Sequence, residues 1–549
     1  MGDSQAARRG ALRRVMGLAL VAIVATAGCA SDDGGGEQAA AVPSVTTTTA
    51  PAVPDTCNAS RVGGSVTMGI FGDTSGLDPA VSSGSGEAGG TELAAIYDTL
   101  MQWNPTTGGY EPRLAEKVES DPTFTQWTIT LRAGVKFGNG DPFTAAAIAA
   151  NFDRHKDPAT KSPHRVLASL IKSTTVVDDL HLVVNLVDPW AEFPYLLSAQ
   201  NLGLIPNPKV IAQLGAAAFN LAPVGAGAGP YEVGQFVPNE KITLKAKTDY
   251  WNGPVCIQQL NFVRLADANA TYDAVKVGTL DLGLIDDAAV LQRVRADNAN
   301  HASQLLNGQG LLFNDGLGGA KTTLSNVVIR KAILAALDPK ALDMRINAGA
   351  GDATSSLFSK KSVYSSDVAG PIYDPKLAAS LVSQAKADGT WDGRIRLTCT
   401  NAQASQALAV KTALDAVGFN VEMQTAPATS DLIRIVVTEK NFDMACWSMQ
   451  VFDAGAWVKL DRFLNSTSTS NRSGYASPAM DAALADLRKA KTPDDRKRII
   501  GQMQTIWNDT APSAIIRAGE PTIVWGKNLH GLTFNGEIIV HFDKAYLAR

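Results

Sequence analysis

Apolar residues along this chain recur at two spacings, and the two interleave. Trp127, Ile129 and Leu131 alternate with Thr and Arg, the period of a half-buried strand. Thr144 stands where it can cap the Ala-rich segment that follows, whose Ile148 and Phe152 lie four apart on one helical face. Val176-Val177 and Leu182–Val187 flank Asp178-Asp179, which predicts a hairpin. Ile329, Ile333, Leu334 and Leu337 form a buried helical stripe that stops at Asp338-Pro339. Thr492-Pro493-Asp494-Asp495 opens another helix, with a cap, a proline at the first position and acids in the first turn. Its apolar face is Ile499, Met503, Ile506 and Trp507. Short apolar strands such as Phe442–Cys446 suit burial on both faces of a parallel sheet. Strands alternating with helices make this an α/β chain without internal repeats.

One apolar run does not belong to this pattern. Val15–Ala27 is 13 residues long and sits behind Arg8, Arg9, Arg13 and Arg14. It is too short to cross the roughly 30 Å bilayer core as a helix, and its charged flank, apolar middle and small-residue end describe an export signal. Ala27-Gly28-Cys29 puts a cysteine where lipoprotein processing needs one, so that cleavage before Cys29 would leave its thiol to carry a diacylglycerol. Thr26 stands where bacterial lipoproteins usually have Leu or Val; the alternative is a secreted protein that loses Cys29 with the signal. Residues 1–28 are expected to be the signal peptide and 29–57 a flexible tether. Rich in Gly, Ala, Thr and Pro, that tether cannot bury enough apolar surface to fold and would reach roughly 30 Å r.m.s..

The remaining chain, about 490 residues, exceeds the single-core limit of about 250–300 residues, so two or more lobes are expected. A formal net charge of −4 without a basic patch argues against a nucleic-acid partner. With Cys29 set aside, Cys57, Cys256, Cys399 and Cys446 remain, and in an exported protein they imply two disulfides with three possible pairings. The six histidines show no metal spacing and no His-Glu-x-x-His pattern. Gly225–Gly229 lacks the Lys-Ser/Thr of a phosphate loop, and Gly84–Gly86 makes no nucleophile elbow. No enzyme chemistry, cofactor or metal is implied.

Five blocks occur in an order that carries a resemblance. They are Leu114-Ala115-Glu116 with Trp127–Asp153 (WTITLRAGVKFGNGDPFTAAAIAANFD); Pro223–Tyr231 with Asp249-Tyr250-Trp251-Asn252-Gly253; Leu311–Asn314 with Val328–Ile333; Tyr373–Ala378; and Phe442-Asp443 through Trp447 to Asn471, Gly474 and Tyr475. The chain resembles the extracellular solute-binding proteins of the oligopeptide/dipeptide/nickel class, family 5. In the first block Gly134, Gly138 and Gly140 are expected in turns with positive φ. The resemblance implies a two-lobed, periplasmic-binding-protein-like fold of type II with an extra inserted subdomain. Lobe I would comprise 58–98, 221–308 and 515–549, the insert 99–220 and the distal lobe 309–514. It further implies a monomer, held to the membrane by a lipid on Cys29, that encloses a small-molecule ligand between its lobes and docks on an ABC permease with its ATPase subunits. The same fold could serve a solute sensor or adhesion receptor, or a receptor for oligopeptides or metal chelates. If the strands near Val66–Ile70 and Leu260–Leu265 are parallel neighbours, Cys57 meets Cys256, leaving Cys399 and Cys446 to pair in distal-lobe strands.

The ligand cleft is expected around Trp447-Ser448-Met449-Gln450-Val451-Phe452-Asp453. Peptide-binding members carry an Asp three residues past this Trp, pairing with the ligand's α-amino group; here the residue is Gln450. A neutral amide cannot balance a desolvated ammonium, so the expected ligand is a small organic solute such as a sugar, a modified amino acid or an amphipathic metabolite. Asp453 is the candidate substitute for the missing carboxylate. Trp447 and Phe452 offer faces for stacking, and Asp73, Ser75, Asn314 at a lobe crossing, Asn401 and Arg472 complete the candidate wall.

Overall fold

The computed structural model describes residues 56–548 apart from 73, 83, 106, 239, 266, 320 and 388. The expected signal peptide, Cys29, the expected tether up to residue 55 and Asp73 lie outside the described residues. The chain begins with β1 (Ser65–Ile70) and enters a hairpin, β2 (Met101–Asn104) and β3 (Gly109–Pro112). It continues into β4 (Ala115–Ser120), β5 (Gln126–Leu131), β6 (Ile171–Val176) and β7 (His181–Leu186). It returns through β8 (Tyr231–Val237), β9 (Lys241–Ala246), β10 (Gln259–Arg264), β11 (Leu282–Ile285) and β12 (Asn300–Ser303). Then it crosses to β13 (Leu306–Phe313), β14 (Asp352–Ala353), β15 (Arg394–Thr400), β16 (Asn420–Ala426), β17 (Met444–Cys446) and β18 (Ser513–Gly519), and crosses back to β19 (Thr522–Trp525).

Two large mixed sheets result. One has the order β12-β19-β11-β1-β10-β9-β8, the other β14-β18-β13-β17-β15-β16, and a separate four-stranded sheet runs β4-β5-β7-β6. In the first, β1 is parallel to both β10 and β11. In the second, β15 is parallel to β16 and β17. Parallel neighbours need long crossovers between them, which the intervening helices supply.

The local readings translate directly in most places. β5 buries Trp127, Ile129 and Leu131 and leaves Thr128 and Thr130 between them half-buried, and β6 pairs with β7 as the hairpin. Thr492 accepts from the Asp495 amide and starts the helix Pro493–Thr510. Thr144 does precede the helix Ala145–Lys156, but its side chain makes no capping bond. Gly134 and Gly140 have positive φ. Gly138 does not; a β-carbon there would meet the movable Glu232 carboxylate and come within 3.1 Å of Gly225 Cα.

Five apolar clusters lie within the described residues, and the three largest organise the unit. Val66, Met68, Phe262 and Leu284 lie in one beneath the first large sheet, and Leu311, Ile333, Leu397 and Met444 in another beneath the second. The third joins the inserted segment to helices of the distal lobe, with Trp127, Trp190, Phe193 and Tyr195 packed in the same cluster as Trp457, Met503 and Trp507. The Trp190 and Trp457 ring centroids are 5.2 Å apart. Ala191 N–H donates to the Arg488 carbonyl at 2.9 Å, and Arg496 lies 3.7 Å from buried Glu192. The insert therefore buries its apolar face against the distal lobe as well as connecting to lobe I.

Asp98 marks the point where the chain leaves β1's neighbourhood for the insert. Its carboxylate takes Arg113 Nε at 2.6 Å, Tyr250 Oη at 2.7 Å and Trp251 Nε1 at 3.1 Å. Burial pushes this carboxyl up, but the Arg113 charge and these hydrogen bonds outweigh it and hold it below the usual range. The Tyr250-Trp251 pair of the second sequence block thus locks the insert's root.

Cys57 pairs with Cys256 and Cys399 with Cys446, at Cα separations of 5.8 and 4.9 Å. The first joins the starts of β1 and β10, whose register sets Ser65 opposite Gln259. It closes a loop of 199 residues in sequence, so by chain entropy its loss costs up to about 5 kcal/mol. Cys57→Ser/Cys256→Ser is expected to lower the urea midpoint more than Cys399→Ser/Cys446→Ser, which opens a separation of 47.

His155 is fully buried against Ser162 Oγ, 2.9 Å from Nδ1, and burial pushes its pKa down to about 3. The folded protein keeps it neutral while the unfolded chain protonates it near 6.5, so its contribution to stability is lost as pH falls below that value. The stability gap between wild type and His155→Gln should therefore shrink by about 2 kcal/mol between pH 7 and pH 5. Paired urea titrations at the two pH values measure it.

Candidate functional site

The two large sheets meet at a ribbon made from both crossings. Leu306 pairs with Gly519 on one side and Ser303 with Thr522 on the other. Between them Gln304 N–H donates to the Pro521 carbonyl at 3.1 Å. Thr522, where the ribbon enters the first sheet, also pairs with Ile285 at the end of β11. In the second sheet, the chain leaving β17 runs back along β13 toward the ribbon. Trp447 N–H donates to Gly310, Met449 to Gly308, and Val451 exchanges both bonds with Asn307. The carboxyl ends of the parallel strands in both sheets therefore face one crevice, the position where open α/β sheets bind ligands.

A cavity of about 540 Å³ opens beside this ribbon. Its walls come from the Gly84-Ser85 loop, from His164 and Gln200 of the insert, from Trp457, Lys459 and Arg462 on the helix Ala456–Leu464, from Arg472, and from Glu537. That volume is typical of a small-molecule site. Close approach builds it: Gly455 has φ +61, and a β-carbon there would fall 2.4 Å from the Tyr195 ring. Glu537 is buried and accepts from Tyr195 Oη at 2.5 Å and Gln200 Nε2 at 2.9 Å, with Lys459 Nζ at 3.8 Å. His164 Nε2 lies 3.1 Å from the Ser82 carbonyl, which can only accept, so Nε2 carries the proton. Burial holds this imidazole below its usual range and therefore neutral.

The residues expected in the cleft divide. Arg472 lines the cavity, half-buried. Gln450 is exposed, two strand positions from the ribbon, and has φ +54, a left-handed conformation uncommon outside glycine. Trp447 is half-buried and packs on the cluster containing Leu312 and Phe442. Asn401 is exposed at the end of β15, with its amide on the Pro427 carbonyl at 3.3 Å, and Ser75 is exposed after β1.

Three expectations need correction. Phe452 is 8% exposed, a packed side chain without an open face for stacking. Asn314 does not lie at a crossing but at the far end of β13, about 25 Å along the strand from Leu306. Its side chain is used up by the Phe442 carbonyl at 2.9 Å and the Leu317 amide at 3.0 Å. Asp453 cannot replace the missing carboxylate, because it accepts from Ser362 Oγ at 2.6 Å, Asn307 Nδ2 at 3.2 Å and the Val363 amide at 3.2 Å. Asn307, fully buried and the hub of this arrangement, carried no signal in sequence. Lys459 and Arg462 did: they are three apart on a strongly amphipathic helix, on one face.

Two large sheets joined by a double crossing, with a cavity walled by loops and helices from both sides of it, define a periplasmic-binding-protein fold. The chain belongs to the bacterial extracellular solute-binding proteins of family 5, whose middle region matches residues 109–471. It is similar to heme-binding protein A of Haemophilus influenzae, 27% identical over 53% of this chain and 56% of that one. It is also similar to the dipeptide-binding protein of Escherichia coli, 25% identical over 57% and 62%. The matched stretches thus span about three fifths of these relatives. The substrate-binding protein CtaP of Listeria monocytogenes superposes with a TM-score of 0.73 over 89% of this chain and 100% of its own, at 19% identity, a likeness of fold.

Asp453 is expected to serve stability and not ligand contact. Asp453→Ala strands three donors and should cost about 2–4 kcal/mol in urea unfolding, with Asp453→Asn intermediate.

Proposed function

We propose that this chain is the solute-capturing subunit of an ABC-type importer, which closes its lobes on a small organic solute and presents the closed form to a permease. The observation that carries this reading is the cavity beside the crossing ribbon, walled by lobe I, insert and distal lobe together. A solute held there touches parts that separate when the lobes open, so it favours the closed state, which is the condition for ligand-driven closure. The family relatives are named for heme and for dipeptides; their cargo differs, so membership supports the mode of capture without naming this solute.

Peptide capture through an ammonium–carboxylate pair is not favoured. Gln450 supplies no charge, and Asp453 is committed to the fold. Mixed di- to tetrapeptides are expected to give no binding heat in calorimetry of ligand-stripped protein. Tight binding that is lost in Gln450→Ala would overturn the reading.

The same reading places the protein outside the cytoplasm, anchored by lipid on Cys29. Wild type is expected in the membrane pellet of fractionated cells and Cys29→Ser in the medium. An unchanged pellet fraction would count against the anchor.

A further inference from the structure

The cavity's charges do not balance. Lys459 and Arg462 project from one face of the helix Ala456–Leu464, and Arg472 comes from the loop that follows it. Two carboxylates share the cavity wall, and both are engaged. Asp461 accepts from Asn465 Nδ2 at 2.8 Å, and Glu537 is held by Tyr195, Gln200 and Lys459. His164 is neutral. Arg462 and Arg472 remain, and neither has a hydrogen bond or carboxylate partner for its guanidinium among the described residues. Arg472 is half-buried and Arg462 stands exposed at the cavity wall; partial desolvation there, with the nearby Arg472 charge, holds Arg462 below its usual basicity. Adjacent guanidiniums repel each other, and an oxyanion accepting from both would relieve the repulsion through charge-assisted bonds.

We propose that Arg462 and Arg472 form the anion-binding end of the solute cavity, and that the solute carries a carboxylate or phosphate group. This rests on the reading of the cavity as the solute site and adds the chemical class of its occupant. Lys459 does not belong to this end, because Glu537 already faces its charge. Two arginines, which bind oxyanions through planar forks, suit a group with two or more oxygens better than a single hydroxyl.

The test uses the full-length protein, unfolded and refolded to remove any solute, with inorganic phosphate and succinate as probes and sodium chloride as the ionic-strength control. Thermal stabilisation by at least one probe is expected in wild type. The probe that stabilises separates phosphate from carboxylate chemistry. In Arg462→Gln/Arg472→Gln the apparent Kd should rise about tenfold or more, while Arg462→Lys/Arg472→Lys recovers part of it. Equal responses of wild type and the glutamine variant overturn the proposal. If neither probe acts, native mass spectrometry of protein never unfolded decides between two failures. A retained neutral or cationic solute overturns the anion assignment and leaves the cavity reading standing; no retained solute from any host extract overturns both.

Discussion

The polypeptide passes between the two large sheets at Ser303–Leu306 and again at Gly519–Thr522, and these passages are hydrogen-bonded to one another through Gln304 and Pro521. The pairing fixes where each sheet ends relative to the other, and with it which strand edges face the crevice. Side chains reinforce it: Ser303 Oγ and Thr522 Oγ1 lie 2.7 Å apart, and Glu520 bridges Arg295 of lobe I and Lys361 of the distal lobe, the latter at 3.4 Å. Gln304 also holds the C-terminal segment, donating to the Asn535 carbonyl at 2.6 Å and accepting from the Ile538 amide at 3.0 Å. That segment carries Glu537 into the cavity. Ribbon and segment are thereby tied together directly beside Glu537.

The insert adds the third wall and changes the energetics of closure. Its aromatic residues share an apolar core with the helices Ala456–Leu464 and Pro493–Thr510, and Trp457 reaches from that core to a cavity wall that also carries Lys459, Arg462 and Arg472. Burial of Trp190 and Trp457 favours contact between insert and distal lobe whether or not solute is present. In the proposed capture, the solute would supply what the apolar contact lacks, the balance of charge at the cavity wall. Binding energy is spent on the difference between open and closed states.

Much of this was legible in sequence wherever one local rule acted alone. Periodicity located β5, the β6–β7 hairpin and the long helix at Pro493 because burial there follows a single face. The parallel pairing of β1 with β10 could be inferred through the resemblance and carried the cysteine pairing with it. Legibility failed where tertiary contacts competed. Asp453 and Asn314 read as open polar residues beside a cleft, yet backbone donors and acceptors from distant segments claim them, and sequence spacing does not reveal such partners. Phe452 was misplaced for a related reason, since an aromatic after a strand reads the same whether it faces core or ligand. The cavity's own charges, on Lys459, Arg462 and Glu537, come from segments 75 or more residues apart in two lobes, and only folding brings them together.

The central claim is that the cavity between lobe I, insert and distal lobe is where the solute sits. A crystal structure of the protein purified from its host without unfolding tests this most directly. The account predicts electron density for a small molecule inside that cavity, within hydrogen-bonding distance of Arg472. Solute density elsewhere, with the cavity filled only by water, would contradict it.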